Sequence, residues 1–352
     1  MQKKKIFIDC RMIGSGGIGS YISALLPLFM QNYECFLLGN KNQLNAYKNL
    51  NNVSIFETDI KPFSIKELFC FSSDILKNIN SCDVFYTPYC NIPNGIKVPV
   101  CSTIHDVVFL DVPNLAGKTG TILRKWFYQR AYKKSKIVFT VSEFSKERIK
   151  AHLKTKKVPT IVTYNALPQW FADGVKNVQK DGSILFVGNI KKHKGLHTLL
   201  DAFEILLKED FNAKLKIVGN SENFRTGDTQ IAQKIKTLPE NSVVFTGRIS
   251  DEELKKCYAQ ANLLVQPSLY EGFGMPPLEA LCLGTNAVIS DIPVFKEIYR
   301  DFPVTFFECS NSNDLAQKIK ESYKKNAPSN LPKKYSFEGT FKIIKDSLEN
   351  LI

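Results

Sequence analysis

Histidine is scarce in this 352-residue chain, with four in all, and the nine cysteines form no C-x-x-C pair and stand at no zinc-like spacing to a histidine. The spacing argues against a structural metal and against a disulfide framework. Most of the cysteines fall in apolar segments, where a free thiol acts as a small buried hydrophobe. No D-x-D sequence occurs, so no metal or other cofactor is expected. Long apolar runs are missing too. The stretch from Tyr21 to Met30 contains Pro27 and stops at Gln31-Asn32, short of the roughly 20 residues a membrane-spanning helix needs. The first residues, Met-Gln-Lys-Lys-Lys, lead straight into a strand-like Ile6-Phe7-Ile8 with no secretory h-region. A cytoplasmic protein is expected.

What is present is ordinary in amount and uneven in placement. Apolar residues make up 44% and charged residues 23%, which excludes a disordered or fibrous chain, and the length predicts about two domains. Residues 1–168 hold 23 Lys+Arg against 11 Asp+Glu, a net of +12, whereas residues 169–352 hold 24 against 23, a net of +1. Lys118 to Lys157 alone carries 13 basic residues and two acids, Glu143 and Glu147. A field of one sign this concentrated points to an anionic partner: nucleic acid, anionic lipid or a phosphorylated substrate.

Short apolar runs alternate with helix-like stretches along the chain. Strands are expected at Lys5–Cys10, Glu34–Leu38, Asp83–Thr87, Val98–Ile104, Ile137–Val141 and Thr160–Thr163. Helices are expected at Ile18–Met30, Ile65–Ile79, Thr119–Lys134 and Glu143–Leu153. Asn165–Gly182, with Pro168, Gly174 and Gly182, reads as a linker. The alternation then restarts, with strands at Ile184–Val187, Leu215–Val218, Val243–Phe245, Leu263–Val265 and Ala287–Ser290, and an amphipathic segment closes at Phe337–Leu351. Strands alternating with helices imply parallel sheets, so the pattern predicts two doubly wound α/β domains. Ligands bind such sheets outside the carboxyl ends of the strands, which turns attention to three loops.

The first, Gly14-Ser15-Gly16-Gly17-Ile18-Gly19, formally matches G-x-G-x-x-G and raises the alternative of an NAD- or FAD-dependent enzyme. That reading wants an acid at the end of the second strand, where the chain has Gly39-Asn40-Lys41. The second, Gly188-Asn189-Ile190-Lys191-Lys192-His193-Lys194-Gly195, puts three lysines and a histidine at a helix N-terminus, where dipole and side chains both attract an anion. The third, Pro267-Ser268-Leu269-Tyr270-Glu271-Gly272-Phe273-Gly274-Met275-Pro276-Pro277-Leu278-Glu279-Ala280, is the most specific. It places Glu271 in a glycine-rich turn and Glu279 one to two turns into the next helix, so each can grip a different set of hydroxyls.

At these residues the chain resembles the family 4 retaining glycosyltransferases of the two-domain GT-B fold. The E-x7-E element in its EGFG-x-P-x-LEA context carries the likeness. Gly16-Gly17-Ile18-Gly19, His105-Asp106, Val141-Ser142-Glu143-Phe144-Ser145, Phe245 to Leu254 and Tyr335-Ser336-Phe337 extend it. The resemblance implies two facing Rossmann-like domains with a cleft between them. An acceptor domain would span 1–168, a donor domain 169–334, and a helix at 335–352 would cross back. It implies a hexose moved from a nucleoside-diphosphate sugar, by analogy GDP-mannose, to a glycan or lipid-linked glycan in lipopolysaccharide or polysaccharide synthesis. Glu279 would hold the donor ribose, and Glu271 the donor sugar with the amides of Phe273, Gly274 and Met275. Lys194 would neutralise the diphosphate, Arg248 and Ile249 would line the base pocket, Gly16 and Gly17 would approach the phosphate, and His105 would face the reacting sugar. Where many relatives carry arginine, this chain has Asn189 and His193, so the phosphate charge would fall on Lys194 with Lys191, Lys192 or a protonated His193, and activity would depend on pH.

The basic segment gains a use in this reading. Thr119–Lys134 sets Ile122, Leu123, Trp126 and Phe127 beside Arg124, Lys125, Arg130 and Lys133, as a helix lying on anionic lipid does, and a peripheral place on the inner face of the cytoplasmic membrane follows. A nucleic-acid-binding protein is the non-enzymatic alternative. No motif of that class occurs and the charge avoids the second half, so no nucleic-acid partner is expected.

Overall fold

The computed structural model describes residues 3–154, 158–173, 175, 178–219, 229–328 and 331–352. The chain divides into two compact units, Met1–Pro168 with Tyr335–Ile352, and Gln169–Lys334. In the first, strands β1 (Lys5–Asp9), β2 (Glu34–Gly39), β3 (Val53–Glu57), β4 (Val84–Thr87), β5 (Val100–Thr103), β6 (Ile137–Thr140) and β7 (Thr160–Val162) form one parallel sheet, ordered β3-β2-β1-β4-β5-β6-β7. Its central strands are buried on both faces, as a parallel sheet covered by helices requires. Ile6 and Ile8 pack on one side with Tyr21, Leu25 and Phe29 of the Gly16–Asn32 helix and Phe341 and Ile344 of the Phe337–Glu349 helix. Phe7 and Phe85 face the other side, with Phe36, Ile75 and Ile79. Thr340 Oγ1 donates to the carbonyl of Thr163 at 2.9 Å, pinning the closing helix to the chain just beyond β7.

The second unit has strands β8 (Ser183–Val187), β9 (Lys214–Val218), β10 (Val243–Gly247), β11 (Leu263–Gln266), β12 (Asn286–Ser290) and β13 (Thr305–Phe307), all parallel, ordered β10-β9-β8-β11-β12-β13. In each sheet the order reverses once, between β1 and β4 and between β8 and β11, and such a switch point opens a crevice at the carboxyl ends.

Several local expectations change. The single helix expected at Ile65–Ile79 is two, Lys66–Phe69 and Ser73–Ile79, because the Ser72 side chain accepts from Ile75 N at 3.2 Å and starts a new helix. The expected linker contains a short helix, Gln169–Ala172, while residues 174, 176 and 177 lie outside the described residues, as do 155–157 of the basic segment. Strands β3 and β13 were not expected: β3 is an edge strand with no clear burial alternation, and β13 has three residues. Among the described residues, no helix is long and apolar enough to cross a membrane.

At the switch point of the first unit lies a buried ionic cluster with no counterpart in the sequence reading. Arg11, just past β1, binds Asp9 through Nε at 2.9 Å and Nη2 at 2.6 Å, and reaches Glu67 Oε2 at 3.1 Å and Tyr89 OH at 2.6 Å. Tyr89 donates to Glu67 at 2.8 Å, and Asn91 donates to its other oxygen. The two acids are fully buried and share one guanidinium. Removing one partner of such a cluster leaves charge without compensation and costs about 3–5 kcal/mol. Arg11→Met should lower unfolding free energy at pH 7 by that amount in urea titration, and a loss below about 1 kcal/mol would mean the cluster carries no burial penalty.

Candidate functional site

The loops after β8 and β11 flank the switch point of the second unit, and the backbone draws them together. Gly195 has φ +68°, and a Cβ there would lie 1.9 Å from the carbonyl oxygen of Pro267, so only glycine allows the approach. Leu269 N then donates to His193 O at 2.8 Å. This seam sets Lys194 Nζ 2.7 Å and 2.8 Å from the two oxygens of Glu271. Ser268 Oγ donates to Glu271 Oε1 at 2.7 Å and accepts from Gln266 Nε2 at 3.0 Å, so the carboxylate is oriented from a buried side as well.

Beyond Glu271 the chain turns at Gly274, φ +84°, where a Cβ would meet the Phe295 ring at 2.2 Å. The Met275–Cys282 helix starts there with prolines in its first turn, where a missing N–H costs nothing. Tyr299 OH donates to Gly274 O and accepts from Leu278 N at 3.1 Å, tying turn to helix. Glu279, inside that helix, accepts a hydrogen bond from Tyr258 OH. Burial pushes the Glu279 carboxyl up to about 7, against the downward pull of that bond. Arg248 is exposed and Ile249 half-buried, both past the carboxyl end of β10 in the same sheet, and Asn189 is exposed beyond β8.

His193 departs from its expected part. Burial first, then the neighbouring Lys194, depress its imidazole to about 4, with Glu271 opposing, so it is neutral near pH 7 and adds no positive charge. What it supplies is the backbone oxygen of the seam. His105, past β5, is neutral as well: burial lowers it to about 4. Its Nε2 lies 3.0 Å from the carbonyl of Pro88, an acceptor only, so Nε2 carries the proton and Nδ1 is left as the acceptor.

In the first unit's glycine loop, Gly19 is required by packing, since a Cβ would fall 2.4 Å from Met12 O, and Gly16 by φ +57°. Gly17 has neither constraint; the space around it is open. The position that would hold a dinucleotide ribose is Asn40, whose side chain caps the Lys41–Leu44 helix. The Gly117–Lys134 helix buries Tyr128, Ala131 and Tyr132 and turns Ile122, Leu123 and Trp126 outward with Lys125. Arg130 does not join that surface: its guanidinium binds the Ile92 carbonyl and, at 2.6 Å, Asn94 Oδ1. Arg124 lies over the Phe109 ring at 3.6 Å.

Residues 169–339, which carry the lysine–glutamate seam, match the family described as glycosyl transferases group 1. The chain's second unit is a group 1 glycosyltransferase domain. This glycosyltransferase is 25% identical over 317 residues to a glycosyltransferase of Methanocaldococcus jannaschii, covering 81% of the chain and 79% of that relative. It is 30% identical over 220 residues to the O-antigen chain mannosyltransferase RfbU of Salmonella typhimurium, where 58% of the chain matches 59% of the relative. It thus spans about three fifths of RfbU's length. Among solved structures, HepE of Anabaena in complex with UDP and glucose aligns with a TM-score of 0.70 at 16% identity, over 99% of this chain and 100% of that one, a likeness of fold. The fold is GT-B, with two parallel-sheet Rossmann-like units.

Tyr258, Gln266, Ser268 and Tyr299 were not singled out in the sequence. Ser268 alone had a visible signal, its place inside the third loop. The environment of Glu279 has a measurable consequence. Its carboxyl should titrate near pH 7 by carbon-13 NMR, and Tyr258→Phe, which removes the bond favouring the charged form, should move the midpoint higher. A raised folded-state value means this group weakens stability as pH rises from the ordinary carboxyl range through about 7. Glu279→Gln should therefore be more stable than wild type above pH 7, and equal stability across that window would contradict the assignment.

Proposed function

We propose that this glycosyltransferase moves mannose from GDP-mannose to a glycan or lipid-linked glycan acceptor, with retention of configuration and without a metal. The acceptor belongs to lipopolysaccharide or polysaccharide synthesis, on the inner face of the cytoplasmic membrane. The observation that carries the reading is the Lys194–Glu271 pair at the switch point of the second unit. The mannosyltransferase names of relatives such as RfbU support the choice of sugar.

On donor binding, Lys194 exchanges Glu271 for the diphosphate oxygens, and Glu271 turns to the hydroxyls of the sugar with the amides of Phe273, Gly274 and Met275. Ser268 keeps the carboxylate oriented during that exchange. Glu279 accepts from the ribose hydroxyls, Arg248 and Ile249 line the base, and Asn189 faces the phosphates beside Lys194. The bond between the sugar carbon and the phosphate oxygen breaks with its electron pair going to the phosphate. The acceptor oxygen bonds to the same face of that carbon, and its proton passes to the departing phosphate. Lys194 and the helix amides stabilise the negative charge that develops there, which is the larger part of such catalysis. Gly16 and Gly17 admit the phosphate close to the backbone, and neutral His105 hydrogen-bonds the reacting sugar. Lys125, Arg124 and Trp126 meet the anionic membrane.

A thermal-shift panel of GDP, UDP, TDP, ADP and NADH tests this. GDP at 100 times its dissociation constant adds about 2.7 kcal/mol and should raise the melting point by several degrees in wild type, but not in Glu279→Ala. A shift with UDP alone replaces the base; a shift with NADH alone overturns the reading in favour of the dinucleotide alternative. Turnover should survive EDTA. Gly17→Ala should keep the wild-type melting point while lowering kcat by about tenfold or more, because nothing in the fold needs that glycine.

A further inference from the structure

Ten large apolar side chains are exposed among the described residues, and six of them fall in two short segments of the first unit. Three, Ile122, Leu123 and Trp126, belong to the helix already discussed. The others are Phe63, Ile65 and Phe69, with Ile65 66% and Phe69 70% exposed. Single exposed apolar side chains are ordinary on a folded unit, but several together mark a contact surface.

The short Lys66–Phe69 helix presents its residues unequally. Glu67 and Leu68 are buried, while Ile65, Lys66 and Phe69 face outward. The inward pull comes from Glu67, held by Arg11 at 3.1 Å and by Tyr89 at 2.8 Å, so a fully buried ion pair fixes which side chains of this turn can leave the surface. The segment is also fastened at its start, where Arg11 Nη1 donates to Ile60 O at 3.2 Å.

This turn is joined to the basic helix. Leu68 O accepts from Asn94 N at 2.9 Å. The Asn94 side chain is held by Arg130 and by Lys134, each at 2.6 Å, and the Arg130 guanidinium lies 5.9 Å from the Trp126 ring. A polar bridge through Asn94 therefore joins the Lys66–Phe69 turn to the helix that carries Trp126. The charges suit one occupant. Lys66, Lys118 and Lys125 are exposed on these two elements, the Gly117–Lys134 helix has no acid, and the acid of the short helix, Glu67, is buried and turned inward onto Arg11.

We infer that Ile65 and Phe69 form a second lipid-contacting element, which enters an anionic bilayer beside the Ile122–Trp126 face. The inference rests on the membrane reading above and adds to it where, and by which side chains, the protein is anchored. Two apolar elements held on one rigid unit restrict its orientation on the bilayer, where one helix would let it roll about the helix axis.

Co-sedimentation of the full chain with phosphatidylethanolamine–phosphatidylglycerol vesicles tests it, comparing wild type with Ile65→Ser/Phe69→Ser and with Ile122→Ser/Trp126→Ser. Both variants change exposed side chains only, so their melting points should match wild type. Each should bind about tenfold more weakly, and high salt should weaken all three further. If wild type binds and the Ile65/Phe69 variant binds equally well, this inference fails and the membrane reading stands. If wild type does not bind even at low salt, the membrane reading itself fails. A lipid-free, concentration-dependent dimer abolished by the Ile65/Phe69 variant would assign the face to a second copy of the chain and overturn the lipid assignment.

Discussion

The backbone approach of Gly195 to Pro267, which leaves no room for a Cβ, is the constraint on which the geometry of the second unit's switch point depends. A parallel sheet leaves the loops after neighbouring strands side by side at its carboxyl edge, but it does not bring their side chains into contact. That contact needs the loops to touch main chain to main chain, which a single Cβ at 195 would prevent. With the seam closed, a lysine after β8 and a glutamate after β11 meet at ion-pair distance. Gly219 repeats the device one strand over: a Cβ there would lie 2.0 Å from Gly188 O, so the floor under the site is backbone packed on backbone.

Electrostatics divides the two units by purpose. In the first, the buried charges of Asp9, Glu67 and Arg11 are fully engaged with one another and act as a fastening. In the second, the charges at the switch point are one lysine and one glutamate paired with each other. Lys194 and Glu271 are mostly buried and paired, and each offers what a phosphorylated sugar would take in its partner's place: a cation for the phosphate, an acceptor for the hydroxyls. Keeping them paired avoids the cost of a buried lone charge while no ligand is present. Neutral His193 fits the same economy, since a second cation beside Lys194 would be held there at a loss.

Much of this was legible beforehand, for physical reasons that differ by residue. The alternation of short apolar runs with helical stretches announced both parallel sheets, because strands covered on two faces leave no choice of side chain. Glu271, Glu279 and Lys194 stood out because they combine charge with glycine and proline at fixed offsets, a pattern that core packing alone does not produce. The Arg11–Asp9–Glu67–Tyr89 cluster did not stand out, since its members come from three separate stretches and only the fold assembles them. The neutrality of His193 is hidden for a related cause: its charge is set by burial, and a run of lysines in the sequence gives no measure of depth. The break at Ser72 was missed because apolar spacing continues across it, although a serine followed by Ser73-Asp74 is good N-cap chemistry.

The first unit is discontinuous along the chain: it stops at Pro168 and resumes at Tyr335, and the returning helix places Phe341, Ile344 and Leu348 in its apolar core. During synthesis, then, the unit made first is the one completed last. Its core waits, with Phe29 of the Gly16–Asn32 helix lacking the Phe341 ring that packs on it, while the whole of the second unit, one uninterrupted stretch, emerges and folds. A ribosome stalled or a chain cut between Lys334 and Phe341 would leave a finished second unit and an unfinished first one.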